Sequence, residues 1–227
     1  MSNAASFSRV QTYKKCPAGY EWQYLLGHKE EYNPGPAALR GTRIHNSIED
    51  YYNGKREELD SEVPMDMVDH IVSHKRDGCE DARPEMKFAL TKDWEITDFD
   101  AEDAFVRGFM DNVFLYPEYI VVHEYKSGKW YPEHGEQKAL YGMICLIMFP
   151  QYQEVRVESI YTDHHRQKIV PSVQPTTYMR GMLSSMKYHW TREIGKLSLP
   201  MYPARPGFHC RWCPKSSKHK EGPCQVG

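Results

Sequence analysis

Glu124 and Lys126 stand two residues apart in the segment Val121-Val122-His123-Glu124-Tyr125-Lys126-Ser127-Gly128. In an extended strand, side chains two apart share a face, so the carboxylate and the ammonium project together while His123 and Tyr125 point the other way. Three acid-x-Lys strings occur in the chain, Glu85/Lys87, Glu124/Lys126 and Glu136/Lys138. Chance gives about as many at this charge content, and the commoner fate of such a pair is a plain salt bridge. The second string gains meaning from Gly108-Phe109-Met110-Asp111, upstream of it on the preceding run of Val, Phe and Tyr. Two carboxylates brought to one sheet edge repel each other unless a divalent cation lies between them, and oxygen ligands suit Mg²⁺ or Mn²⁺. Such a cation lowers the pKa of a bound water and neutralises charge on a phosphate, which phosphodiester hydrolysis demands. Lys126 beside it can orient or help deprotonate the water, or stabilise the charged transition state.

A second group of chemically capable residues is the cysteines. Cys16, Cys79 and Cys145 stand alone, whereas Cys210, Cys213 and Cys224 crowd the last 18 positions. Six cysteines are too sparse for a disulfide scaffold, and clustering of this kind points to a bound metal, with His209 and His219 as alternative zinc ligands. Cys79, on a polar helix, and Cys145, in an apolar one, read as ordinary residues.

The elements that must position these groups follow from periodicity. A helix is expected over Ser6–Tyr24, broken at Cys16-Pro17, and a second over Thr42–Tyr52, where His45, Ile48, Glu49 and Tyr52 share a face. A third is expected over Met65–Ala82, with Pro84 stopping it before a short strand, Glu85–Leu90. Ala104–Tyr116 and Ile120–Lys129, parted by Pro117-Glu118, read as a β-hairpin. Then come an apolar helix, Glu136–Phe149, two strands, Glu154–Asp163 and Gln167–Val173, and a last helix, Thr176–Ile194. This order suggests an α/β or α+β fold with a central mixed sheet flanked by helices. Prolines beyond residue 199 forbid long regular structure there, so something other than a hydrophobic core must hold the tail.

Composition bounds the rest. The 227 residues suit one large domain with a small appendage, and 40% hydrophobic content supplies a sizeable core. The net charge of −2 excludes histone-like behaviour, so any nucleic-acid binding must come from local clusters of Lys and Arg. Candidates for a basic rim are Lys14, Lys15, Arg40, Arg43, Arg205, Arg211, Lys215, Lys218 and Lys220, with Tyr13, Tyr20 and Trp212 able to stack on bases or to pack in the core. The longest apolar run, Ala139–Phe149, falls well short of the roughly 20 residues that span a bilayer. No signal-peptide pattern opens the chain, so a cytoplasmic location is expected, and residues 1–5 read as a remnant of cloning.

The ordered series of motifs resembles the PD-(D/E)xK nuclease superfamily, specifically its RecB-like branch with the CRISPR-associated and AddB-type iron–sulfur nucleases. The series runs Ser6-x-Ser8, Tyr13-x-x-Cys16-Pro17, Gly41-x-x-x-His45, Gly108-x-x-Asp111, Glu124-x-Lys126-Ser127-Gly128, Gln137-x-x-x-Tyr141 and the C-terminal cysteines. The resemblance implies a restriction-endonuclease-like core over residues 6–199 and a cysteine-rich tail over 200–227. It implies that His45, Asp111, Glu124 and the Tyr125 carbonyl bind Mg²⁺ or Mn²⁺, with Lys126 catalytic, and that Gln137 and Tyr141 look onto the scissile phosphate or neighbouring DNA. Glu85 falls where a first-strand acidic residue is found in related enzymes, in a loose local pattern. Met110 stands where the superfamily's proline precedes the aspartate. The resemblance also implies a 4Fe-4S cluster on Cys16, Cys210, Cys213 and Cys224, and the long gap from Cys213 to Cys224 keeps Zn²⁺ as the alternative. A cross-link over so long a loop contributes on the order of 5 kcal/mol in the chain-entropy model. The expected activity is that of a metal-dependent DNA exonuclease on single strands or duplex ends, in recombination, repair, replication or phage-type DNA metabolism. Partners would be DNA and, through a homo-oligomer or recombination and replication proteins, other chains, with no membrane. The rival is a catalytically silent DNA-binding or assembly module that keeps the fold and the cluster.

Overall fold

A computed structural model describes residues 4–28, 34–75, 77–169, 171–211, 213 and 224. Its centre is a five-stranded sheet in the order β1-β2-β3-β4-β5, comprising Asp81–Leu90, Val106–Leu115, Ile120–Lys126, Glu154–Tyr161 and Val173–Met179. β1, β2 and β3 form an antiparallel meander, β4 lies parallel to β3, and β5 pairs antiparallel with β4. The sheet is thus mixed, as the element order implied. The helices are α1 (Phe7–Lys15), α2 (Pro17–Tyr20), α3 (Pro36–Tyr52), α4 (Met65–Val72), α5 (Glu133–Met148), α6 (His164–Gln167) and α7 (Leu183–Gly195). α5 makes the crossover that a parallel β3/β4 pair requires.

The two faces of the sheet carry separate cores. Val113, Val122, Val155 and Val157 pack with Leu140, Ile144 and Trp190 of α5 and α7 in the larger one. Ile44, Ile48, Met67 and Ile71 of α3 and α4 close over Tyr125 and Ile160 in the smaller. With a cover on both faces, β3 is buried along six of its seven residues, which explains its continuous Ile-Val-Val run. Among the described residues no helix is long and apolar enough to cross a membrane.

Several boundaries differ from the sequence reading for identifiable reasons. The first helix stops at Lys15, because Cys16 takes an extended conformation ahead of Pro17, and a π-type segment follows at Glu21–Leu25. Ser6 caps it by accepting the Arg9 N–H at 3.3 Å. α4 ends at Val72, not Ala82, and β1 starts at Asp81 with Pro84 inside it. An edge strand tolerates proline because its outer N–H has no ladder partner to lose. Cys79 therefore lies before β1, outside any helix. The strand expected at Gln167–Val173 begins at Val173, after a left-handed Lys168 ends α6. Thr176, Thr177 and Tyr178, expected to open the last helix, instead extend β5, as β-branched and aromatic residues favour. Ala4 and Ala5, read as part of a cloning remnant, are buried, and Ala5 bridges to Val106.

Candidate active site

The β2–β3 pairing and the period of two within β3 put Glu124 and Lys126 on the face that α5 covers. Lys126 Nζ donates to Glu124 Oε1 and to Gln137 Oε1, both at 2.7 Å. Gln137 Nε2 donates in turn to Glu124 Oε1 at 2.8 Å and to Tyr141 Oη at 3.0 Å. Glu124 Oε1 thus receives two donors, while Oε2 is buried with no hydrogen-bond partner in the structure. A buried carboxylate oxygen left in that state is costly, and a cation satisfies it. Gln137 and Tyr141 are both buried, so Gln137 holds the lysine and glutamate, and Tyr141 faces Gln137.

Asp111 Oδ2 accepts the Tyr125 N–H at 2.8 Å. At the carbonyl of the same residue, His45 Nε2 lies 3.0 Å from Tyr125 O, so that nitrogen carries the proton and donates. The second ring nitrogen, Nδ1, then holds a lone pair and faces Asp111 Oδ2 at 3.6 Å. A histidine whose outer N–H is fixed on a carbonyl is oriented as metal-binding histidines are. Burial lowers the His45 pKa, against the opposing charge of Glu124, so the imidazole is held neutral.

Glu85 completes this group: His45, Glu85 and Asp111 offer ligand atoms within 4.8 Å of one another. Burial raises the Asp111 pKa well above the ordinary range, and the charges of Glu124 and Glu85 add to it. Burial likewise raises Glu85, with Glu49 and Glu124 contributing. Glu49 lies one turn beyond His45 on α3. The carboxylates therefore crowd one another in the way a divalent cation relieves, and the donor set of carboxylates and one imidazole suits such an ion.

α3 reaches the end of β3 closely: a Cβ on Gly41 would overlap Ser127 Oγ and stand 2.9 Å from Ser127 Cβ. Gly108 is similarly constrained, since a Cβ there would meet Phe88 Cζ at 2.8 Å.

Ahead of Asp111 on β2, Arg107 and Phe109 share a face, and Lys87 of β1 pairs with Phe109. Phe109 is 43% exposed and packs against Phe99 at 5.0 Å between ring centroids. Lys87 Nζ lies 5.4 Å from the Phe99 centroid and Arg107 Cζ 5.2 Å. This aromatic and basic strip was not singled out in the sequence, where the nearest signal is the alternation Arg107-x-Phe109-x-Asp111 itself. Of the proposed basic rim, Lys14 is paired with Glu136 and Glu193, Arg40 with Asp163 and Arg43 with Glu62. Tyr13 and Tyr20 belong to the larger core, while Trp212, Lys215, Lys218, His219 and Lys220 lie outside the described residues.

Cys16, Cys210, Cys213 and Cys224 line one cavity, together with Gly19 and Arg205. The Arg205 N–H points at Cys16 Sγ and the Gly207 N–H at Cys210 Sγ, each at 3.4 Å. Cys145 is buried in α5 against Met110 and Cys79 donates to Asp81 O at 3.1 Å, both away from this cavity.

The sequence profile of the PD-(D/E)XK nuclease superfamily matches residues 4–217. No curated protein matches the chain. Two similar solved structures are SSO0001, 15% identical with a TM-score of 0.46 over 94% of this chain and 84% of its own, and a candidate exonuclease from Eubacterium rectale. The latter is 10% identical with a TM-score of 0.49, over 99% of this chain and 90% of its own. A profile match across nearly the whole length, running through every element that carries Asp111, Glu124 and Lys126, makes the chain a member of the PD-(D/E)XK nuclease superfamily.

Proposed function

We propose that this protein is a divalent-metal-dependent deoxyribonuclease of the RecB-like branch, acting as an exonuclease on single-stranded DNA or DNA ends. The observation that carries the reading is the partnerless Glu124 Oε2 beside the crowded carboxylates of Asp111 and Glu85. Asp111, Glu124 and His45 would hold Mg²⁺ or Mn²⁺, with Glu85 as a further acidic ligand, while the Tyr125 carbonyl, expected as a ligand, accepts the His45 Nε2–H and orients that ring. The cation supplies a more acidic water and charge neutralisation on the phosphate. Lys126, fixed by Glu124 and Gln137, places an ammonium beside the reacting phosphodiester, where it orients the attacking water and offsets developing negative charge. Tyr141 holds the Gln137 amide.

The strip of Phe109, Phe99, Lys87 and Arg107 supports a single-stranded substrate, because exposed rings stack on unpaired bases and flanking cations follow the backbone. The four cysteines that share one cavity would hold an iron–sulfur cluster that ties the tail to the α1–α2 junction. Two of their sulfurs face backbone N–H groups, a contact that stabilises iron-bound thiolates. Incubation of oligonucleotides labelled at either terminus, single-stranded and duplex, with Mg²⁺ or Mn²⁺ and a chelator control tests the reading. Stepwise shortening of single strands that ceases with chelator is expected. DNA that is retarded but uncut would favour the silent binding module.

A further inference from the structure

Three histidines and a carboxylate meet on the sheet face opposite Glu124 and Lys126. His70 lies in α4 and His74 in the 3₁₀ turn that continues it, at the i, i+4 spacing that presents two imidazoles on one side of a helix. His123 of β3 and Glu158 of β4 are direct partners in the parallel register. Their side chains alternate with those of Glu124 and Ser159 and therefore face α4.

The ligand-type atoms converge. His70 Nε2 is 2.8 Å from Glu158 Oε2, and His123 Nε2 is 3.4 Å from the same oxygen. His74 Nε2 is 2.9 Å from His123 Nε2. His70, His123 and Glu158 all offer these atoms within 4.8 Å of one another. In a tetrahedral zinc site with bonds of about 2.0–2.1 Å, ligand atoms stand about 3.3–3.4 Å apart, within roughly half an ångström of the two separations from Glu158 Oε2.

The outward-facing atoms are also held. His123 Nδ1 is 3.1 Å from Tyr125 Oη, His74 Nδ1 is 2.5 Å from Tyr116 Oη, and Glu158 Oε1 accepts from Arg156 Nε at 2.6 Å. A ring that donates from Nδ1 keeps its lone pair at Nε2, and such outer partners are what orient metal ligands. His123, Glu158 and His74 are buried, while the His70 side chain is 35% exposed and leaves a way in for an ion.

We propose that His70, His123 and Glu158 form a structural zinc site, with His74 beside His123, separate from the catalytic centre and from the cysteines. Imidazole-rich donors select zinc over Mg²⁺, which prefers oxygen. The ion would pin α4 to β3 and β4. Through His123 and the Tyr125 hydroxyl it would steady the residue whose backbone holds Asp111 and His45.

The test is zinc stoichiometry on the whole protein after chelation and reloading with Zn²⁺, combined with zinc-edge X-ray absorption and thermal melting. The expected result is one zinc with nitrogen and oxygen neighbours at about 2.0–2.1 Å, clear of any thiolate-bound zinc at about 2.3 Å. This ion raises the melting temperature and is lost in His70→Gln and Glu158→Gln variants whose circular dichroism is unchanged. His70→Gln, on a half-exposed helix face, keeps the test usable if Glu158→Gln does not fold. Zinc bound only to sulfur would overturn the proposal. So would a nitrogen- and oxygen-bound zinc that survives His70→Gln but disappears in Asp111→Asn, since that ion would belong to the catalytic carboxylates.

Discussion

Glu85 stands opposite Asp111 across the β1–β2 ladder, at the step where the backbone pairing is interrupted. Its φ of +48° puts a non-glycine residue in the left-handed region inside a strand. Such backbone strain costs on the order of 1–3 kcal/mol and persists where the surroundings impose it. Replacing Glu85 with glycine should relieve both the strain and the crowding of Asp111. The metal-free protein should then melt higher, at about 2–4 °C per kcal/mol for a chain of this size. The same variant should bind Mn²⁺ at least about tenfold more weakly, as loss of a ligand or its close partner does. Calorimetric titration with unchanged Mn²⁺ affinity would remove Glu85 from the site.

Lys126→Ala should lower the single-turnover cleavage rate by about 10²–10⁴, the range for a positioned proton-transfer or charge-stabilising group. DNA affinity should change little. Gln137→Ala, which frees one of the two anchors on Lys126 Nζ, should give a smaller fall in the same assay. Near-normal cleavage by Lys126→Ala would end its catalytic role.

Phe109→Ala removes an exposed ring two residues from Asp111 on the same strand. Stacking contributes about 1–3 kcal/mol per base, so the Kd for a short single strand should rise roughly 5- to 150-fold, with duplex affinity much less affected. Fluorescence anisotropy on the two substrates distinguishes this from a loss of fold, which would weaken both.

His134 contributes to acid sensitivity. Burial pushes its pKa down to about 4, Lys126 adding to the shift, and its Nδ1 bonds the Tyr161 hydroxyl at 2.7 Å. The unfolded chain titrates near 6.5, so between those values it binds more protons than the native state does. The stabilisation is therefore complete above about pH 6.5 and is lost as the pH falls towards 4. The drop in melting temperature from pH 7 to pH 5 should be smaller in His134→Gln than in the parent, and an equal drop would assign the acid sensitivity to other groups.

Protein purified without oxygen should be brown if the four cysteines hold iron and sulfur, and Cys16→Ser should bleach it. A colourless parent with one zinc per chain on sulfur would assign the cavity to zinc instead.

The hairpin that carries Asp111, Glu124 and Lys126 was legible because a period of two decides which side chains share a face, whatever the register. α5 was legible from its apolar run. Glu85 was not, because its position opposite Asp111 depends on where β1 begins, and reading a helix as far as Ala82 hid the start of that strand. The helical reading of Thr176–Tyr178 similarly concealed the fifth strand, which propensity alone would have allowed. His70, His123 and Glu158 lie on three elements far apart in the chain; the parallel register of β3 with β4 pairs the latter two, and the packing of α4 on that face adds the first. The cysteines were the opposite case, since spacing marked three of them before any fold was known.

The contact between Gly41 and Ser127 makes the bare backbone of a helix the gauge that sets how far His45 sits from the carboxylates. A single methyl at position 41 would act as a wedge one turn before the histidine. The precision of the ion-binding group is therefore inherited from the spacing between a helix and a strand end, and the smallest residue in the chain governs it without touching the ion.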